Sequence, residues 1–322
     1  MTEDTYVGDV ISEDGKLIKN ISARSSKAVG IQSQIMNLLK EVSMGFHFFV
    51  MANIFRNLKF INGVLTNAEV WFPLNDTMLK DLKKQDKILI RKFLDAPVST
   101  PSELLYLETG NIPILDIIKS RRIMYLHYIL TSPQNEMLYR VFKAMMRNPS
   151  NGDWIQLVRK DLADYNINDS FEEIAKIKLD IFKKKVKKAG RKYSFIKLMT
   201  DKIKHKKGNL LKYNELKLQN YLLSEMLTTK ESKFLFKIRT HMLNVKANFR
   251  EKYKNEFQSE NEYLRCELCL KHIDNQENLI ICETLNTQEK IDYMDLFSDN
   301  VKIAAKATRT YRKIWMQREE IM

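Results

Sequence analysis

The sequence predicts an almost all-α chain with a small β start. Apolar residues recur every three or four positions over most of its length, and Ser/Thr-to-Glu spacings mark helix starts. Neither an internal repeat nor a long low-complexity linker breaks the pattern. With 44% hydrophobic residues among 322, the chain can bury a substantial core in one large or two ordinary domains.

In chain order, Tyr6-Val7-Gly8-Asp9-Val10-Ile11 is β-branched and aromatic. It is followed by the turn-like Glu13-Asp14-Gly15-Lys16 before Leu17 and Ile18, which predicts one short hairpin. From Ser25 the pattern becomes helical, with Val29, Ile31, Ile35, Met36, Leu38, Leu39 and Val42 on one stripe and a half-buried helix expected. Phe46 to Leu65 leaves little polar face and predicts a mostly buried helix. Asn75 to Leu94 predicts a third, stopped by Asp95-Ala96-Pro97. Thr100-Pro101-Ser102-Glu103 reads as a capping box with Thr100 as N-cap, and Gly110 ends the helix it opens. Ile112 to Leu130 is helical, with Arg121 and Arg122 interrupting an apolar surface, and Ser132-Pro133 opens a helix that runs to Asn148-Pro149. Trp154 to Tyr165 and Phe171 to Lys188 continue the series, and Gly190 and Gly208 divide the basic segment into two helices. Thr228 to Glu231 is a second capping box. Behind it Phe234, Ile238, Met242, Val245 and Phe249 predict the most regular amphipathic helix of the chain. A last helix, capped by Ser298 or Asp299, runs through Ile303, Ala307, Tyr311 and Ile314 to Trp315.

Net charge is +14, and its distribution is uneven. Between Lys176 and Lys212 lie fourteen lysines and one arginine against Asp180 and Asp201, so thirteen of the fourteen net charges sit in that segment. A concentrated basic segment on a balanced chain suits phosphate backbones, where each neutralised phosphate releases a counterion. The other reading is a solvated lysine-rich helix with no partner. The phosphate-contact candidates are Lys183, Lys184, Lys185, Lys187, Lys188, Arg191, Lys192, Lys202, Lys204, Lys206 and Lys207, with Tyr193 and Phe195 as aromatic neighbours able to stack on bases or to pack in a core. No apolar run approaches the roughly 20 residues that span a bilayer, and the acidic opening MTEDTYVGD does not resemble a signal peptide. The expectation is an intracellular chain with no membrane partner.

All three cysteines, Cys266, Cys269 and Cys282, fall in Arg265 to Leu285. Three thiols in so long a chain argue against a disulfide framework. A C-x2-C pair points two thiolates at one metal, a third sulfur thirteen residues on closes the loop, and zinc would take His272 as fourth ligand. Beside this stands the reading of three reduced, inert thiols on a half-buried hairpin. Adjacent Asp-Asp pairs, phosphate-binding glycine loops and H-E-x-x-H are all missing from the sequence, and the five histidines are scattered. No catalytic constellation is expected.

Three groups of residues carry a resemblance. They are Tyr6 to Ser12 with Asp14-Gly15-Lys16; Phe60-Ile61-Asn62-Gly63-Val64-Leu65-Thr66-Asn67-Ala68-Glu69-Val70-Trp71; and Leu104-Leu105-Tyr106-Leu107-Glu108-Thr109-Gly110 with Ile112-Pro113-Ile114 and Ser120-Arg121-Arg122. Taken in this order they resemble the C-terminal part of a LINE-type, non-LTR retrotransposon reverse transcriptase, over nearly the whole chain. The resemblance implies a helical thumb that grips a template-primer duplex, then a basic helical region, then a small zinc-knuckle-like hairpin. It also implies that the polymerase palm and its aspartates lie upstream, so that this chain is not itself an enzyme. The family knuckle usually has histidine four residues before its last cysteine, where this chain has Asn278. Either His272 substitutes or the metal is lost.

The implied organisation is 1-97 for hairpin and thumb-like helices, 98-255 for a helical region containing the basic segment 176-212, and 256-322 for the knuckle-like segment and terminal helix. The implied partners are RNA and/or DNA and an upstream polymerase domain. The implied location is nuclear, or shuttling between cytoplasm and nucleus. A rival reading makes the basic segment a nuclear-import or protein-docking face.

Overall fold

A computed structural model describes residues 3–6, 9–12, 17–41, 47–148, 153–204, 209–253, 262–285 and 291–322. The chain is mostly helical. Strands β1 (Glu3–Tyr6) and β2 (Asp9–Ser12) pair antiparallel with Thr5 opposite Val10. The hairpin expected from Tyr6 to Ile18 is therefore placed differently. Its turn, Glu13 to Lys16, lies outside the described residues, and Leu17 and Ile18 open helix α1 (Leu17–Glu41). That helix starts eight residues before Ser25 and buries Ile21, Ala28, Ile31, Ile35 and Leu39, while Val29 faces solvent.

Helix α2 (His47–Phe55) passes into a π-helical turn, Arg56–Ile61, and a short α3 (Asn62–Val64). The extra residue of a π turn rotates the side chains beyond it to a different side of the helix. Within that turn Leu58 is exposed rather than buried and Arg56 points inward; Ile54, just before it, is also exposed. Helices α4 (Lys80–Leu94), α5 (Ser102–Thr109), α6 (Ile114–Thr131), α7 (Met137–Arg147) and α8 (Trp154–Asp164) come next in the chain. The box expected at Thr100 does not cap α5: the Thr100 hydroxyl is buried without a hydrogen-bond partner.

The expected helix Phe171 to Lys188 is broken. Helix α9 (Phe171–Lys176) carries a complete capping box between Ser170 and Glu173, and α10 (Leu179–Ile203) begins anew. At the break, the Ile177 carbonyl lies 2.9 Å from His127 Nε2. The two basic helices expected on either side of Gly190 are one. Gly190 is there for close packing: a Cβ would stand 3.0 Å from Ser120 Oγ and 3.1 Å from the Tyr165 ring.

Helices α11 (Asn220–Leu223), α12 (Thr229–Arg239), α13 (Arg250–Tyr253) and α14 (Val301–Ile321) complete the fold. The Thr228–Glu231 capping box forms, but α12 stops at Arg239, well short of Phe249. His241 adopts a left-handed φ of 53°, with Met242 N–H donating to the Lys237 carbonyl at 2.7 Å and His241 N–H to that of Ile238 at 3.0 Å. This is the paired closure of a Schellman C-terminus, with histidine where glycine is usual. Met242 and Val245 still bury their side chains, from irregular backbone. Asn300, not Ser298 or Asp299, caps α14.

The chain divides into two compact units: residues 1–41, 52–89 and 110–200, and residues 42–51, 90–109 and 201–322. This differs from three consecutive segments, because α4 and α10 each run across a boundary. In the first unit α7, α8 and α9 all pack on α6. Ile123, Leu126, Phe142, Trp154, Val158, Tyr165, Phe182 and Val186 share its core. Arg56 is bidentate to Asp86, at 2.7 Å on both contacts, and also donates to Asn111 and to the Ile112 carbonyl; Arg122 pairs with buried Asp161 at 2.7 Å. In the second unit α11, α12 and α14 pack together.

Candidate nucleic-acid interface and cysteine cluster

Helix α10 sets the candidate interface. Phe182, Val186 and Gly190 recur every four residues and face the first unit's core, which turns the intervening lysines outward. Lys183, Lys184, Lys187, Lys188 and Lys192 are exposed, and among the described residues none of them has an acidic partner. Lys185 is exposed but tied to Asp169. Arg191 is half-buried, 3.5 Å from the Gly110 carbonyl.

Lys202 departs from expectation. It is buried, donates to the Leu211 carbonyl at 2.5 Å and sits over the Tyr213 ring, so its ammonium is consumed by the fold of the second unit. Burial lowers its pKa, opposed by the charge of Glu108. Lys204 is exposed and paired with Asp201 at 2.7 Å. Lys206 and Lys207 lie outside the described residues. Tyr193 is half-buried, with Lys119 donating to its hydroxyl at 3.2 Å and the Tyr165 ring 5.5 Å away, so it packs in the unit rather than offering a free face; Phe195 is half-buried.

A second basic group is not evident from sequence. Arg140, Lys143 and Arg147 are exposed on α7 with no carboxylate partner among the described residues, beside Met137 and Val141, and with Gln134 and Tyr139 they line a groove of about 580 Å³. Their only signal is a spacing of three and four residues without an intervening acid, which is much fainter in one dimension than a lysine run. In the same unit the segments Phe60 to Trp71 and Ser120 to Arg122 meet: Arg121 donates to the Leu65 carbonyl at 2.5 Å and to Asn62 Oδ1 at 2.7 Å.

In the second unit the three cysteine sulfurs converge, all lying within 4.8 Å of one another. Cys266 and Cys282 are buried and Cys269 is half-buried. The loop that gathers them is closed by backbone bonds: Cys266 N–H donates to the His272 carbonyl at 2.8 Å and Leu270 N–H to that of Cys266 at 2.9 Å, Arg265 bridges antiparallel to Ile273, and Leu270 takes a φ of 55°. The single bridge and the positive φ make a tight turn in which N–H groups point at sulfur. Although burial opposes ionisation, the His272 and Lys271 N–H groups hold the Cys269 thiol below its ordinary value. Burial pushes the Cys282 thiol up to about 11, against a hydrogen bond from the Thr284 backbone.

Tetrahedral zinc, with Zn–S of about 2.3 Å, needs sulfurs about 3.8 Å apart, which is a small contraction of this cluster. Three soft donors with N–H···S support fit zinc by chemistry as well as by size. His272 does not join the cluster; its backbone, rather than its ring, serves the site. Asn278 is also committed locally, its Nδ2 donating to the Ile273 carbonyl at 3.0 Å. Comparison with protein-family models, curated proteins and solved structures returned no match for this chain.

Proposed function

We propose that this chain binds nucleic acid through the phosphate backbone, with the exposed face of α10 as the principal contact. The observation that carries it is the set of five lysines, Lys183, Lys184, Lys187, Lys188 and Lys192, displayed on one rigid helix with no internal counter-charge among the described residues. A cation paired with a carboxylate has little to gain from a phosphate; an unpaired one releases the phosphate's counterion. Arg140, Lys143 and Arg147 add further exposed positive charge to the same unit. Base readout is not part of the reading, because lysines on a helix face contact phosphates and carry no sequence information.

The cysteine cluster would hold zinc through Cys266, Cys269 and Cys282, an ion that stiffens this loop of the second unit. The resemblance carried by Tyr6 to Ser12 with Asp14-Gly15-Lys16, by Phe60 to Trp71, and by Leu104 to Gly110 with Ile112-Pro113-Ile114 and Ser120-Arg121-Arg122 supports placing the chain at the non-catalytic end of a LINE-type reverse transcriptase, which would act in the nucleus or shuttle between cytoplasm and nucleus. An in-frame palm with paired aspartates encoded upstream is the test of that placement.

Binding is tested with labelled single- and double-stranded RNA and DNA at several salt concentrations. Affinity that falls steeply with salt is expected. Absent or salt-insensitive affinity overturns the proposal and favours the rival reading, in which the same lysines dock a protein or an import receptor. Among the described residues no helix is long and apolar enough to cross a membrane.

A further inference from the structure

We infer that Cys266, Cys269 and Cys282 form a metal site with one exchangeable coordination position, filled from outside the described chain by water or a single nitrogen or sulfur donor. This rests on the metal reading above. Three sulfurs within 4.8 Å of one another make one face of a tetrahedron. Among the described residues no histidine or carboxylate joins them.

The carboxylates, the hydroxyl and the amide nearest in sequence are engaged elsewhere. Glu267 pairs with Lys246 at 2.7 Å and Glu283 with Lys271 at 2.5 Å. Asp274 is buried against Arg318 at 2.7 Å and accepts the Lys246 N–H at 2.9 Å. Thr284 Oγ1 donates to the Leu268 carbonyl, and Asn278 spans Asn275 and Ile273. The two buried sulfurs leave Cys269 as the solvent-facing edge, flanked by exposed Leu270. An incoming donor therefore approaches on the Cys269 side.

Three thiolates around a divalent ion leave the centre with one net negative charge. They donate strongly, so a bound water is acidified less than at a three-histidine site, and the open position suits ligand exchange rather than hydrolysis.

Cobalt(II) loaded into the full chain in place of zinc reports the site through its visible ligand-field and thiolate-to-metal charge-transfer bands. Imidazole and 2-mercaptoethanol, titrated separately, should each shift the ligand-field bands saturably. Thiolate charge transfer should stay at the three-sulfur level with imidazole and rise with the thiol. His272→Ala should leave the starting spectrum unchanged, since it is the His272 backbone that holds Cys266 and Cys269. A four-coordinate spectrum that ignores both ligands, or one that collapses in His272→Ala, means that the chain supplies the fourth ligand: the exchangeable position is then rejected while the metal site survives. Failure to load cobalt(II) or zinc rejects both.

Discussion

Glutamine at positions 183, 184, 187, 188 and 192 together removes five charges from α10 without touching its buried face. Glutamine and lysine have similar helix preference, so the helix should persist, and circular dichroism checks that it does. Each phosphate contact contributes about 0.9 to the slope of log affinity against log salt on duplex and about 0.7 on single strands. Removing five such lysine–phosphate pairs should therefore flatten the slope by about 4.5 on duplex or about 3.5 on single strands. Between 50 and 200 mM salt those pairs account for roughly a 100- to 500-fold loss of affinity in the parent chain, which the variant should no longer show. Fluorescence anisotropy with a labelled 20-mer over that range measures it. Lys185→Gln alone should change the slope by well under one unit, because Asp169 already holds Lys185. An unchanged slope in the five-site variant, with parent-like helicity, refutes the assignment of α10 as the interface.

Lys202→Met should leave the salt slope as it is and lower thermal stability by about 1–2 kcal/mol, through loss of the bond to the Leu211 carbonyl; parallel melting and binding curves separate the two effects. Gly190→Ala should destabilise by about 1 kcal/mol in urea unfolding, since crowding against Ser120 and Tyr165 outweighs the roughly 1 kcal/mol that alanine contributes in a helix; a more stable variant contradicts the packing argument. Arg56→Met should cost about 3–5 kcal/mol by stranding buried Asp86, and adding Asp86→Leu should recover most of it, as denaturant midpoints will show. Burial raises the pKa of Asp116 against the charge of Lys197 and the Ser194 hydroxyl. Its contribution to stability is thus present below the ordinary carboxylate value of about 4 and lost as pH rises through the raised value; Asp116→Asn should remove that segment of the stability-against-pH curve. Purified protein should carry close to one zinc per chain, and Cys266→Ser should abolish it; zinc content unaffected by that change means the sulfurs do not hold it.

By itself the sequence determined what depends on neighbours in the chain. The helical character follows from the apolar period, and the start of α12 follows from the three-residue spacing of Thr228 and Glu231. The outward lysines of α10 follow from Phe182 and Val186 four residues apart. The C-x2-C turn follows from two thiols close enough to share one loop. The tertiary structure decided what depends on residues far away in the chain. Leu211 and Tyr213 take Lys202 into the interior, and Asp169 claims Lys185. Ser120 and Tyr165 make Gly190 a packing residue rather than a break. A left-handed His241 ends α12 where periodicity runs on to Phe249. The third sulfur reaches Cys266 and Cys269 only through the fold of the loop, which at the same time directs the His272 backbone, and not its ring, at the site. The physical reason is that charge and periodicity are summed along the chain, whereas burial and coordination depend on which distant groups come to share one volume.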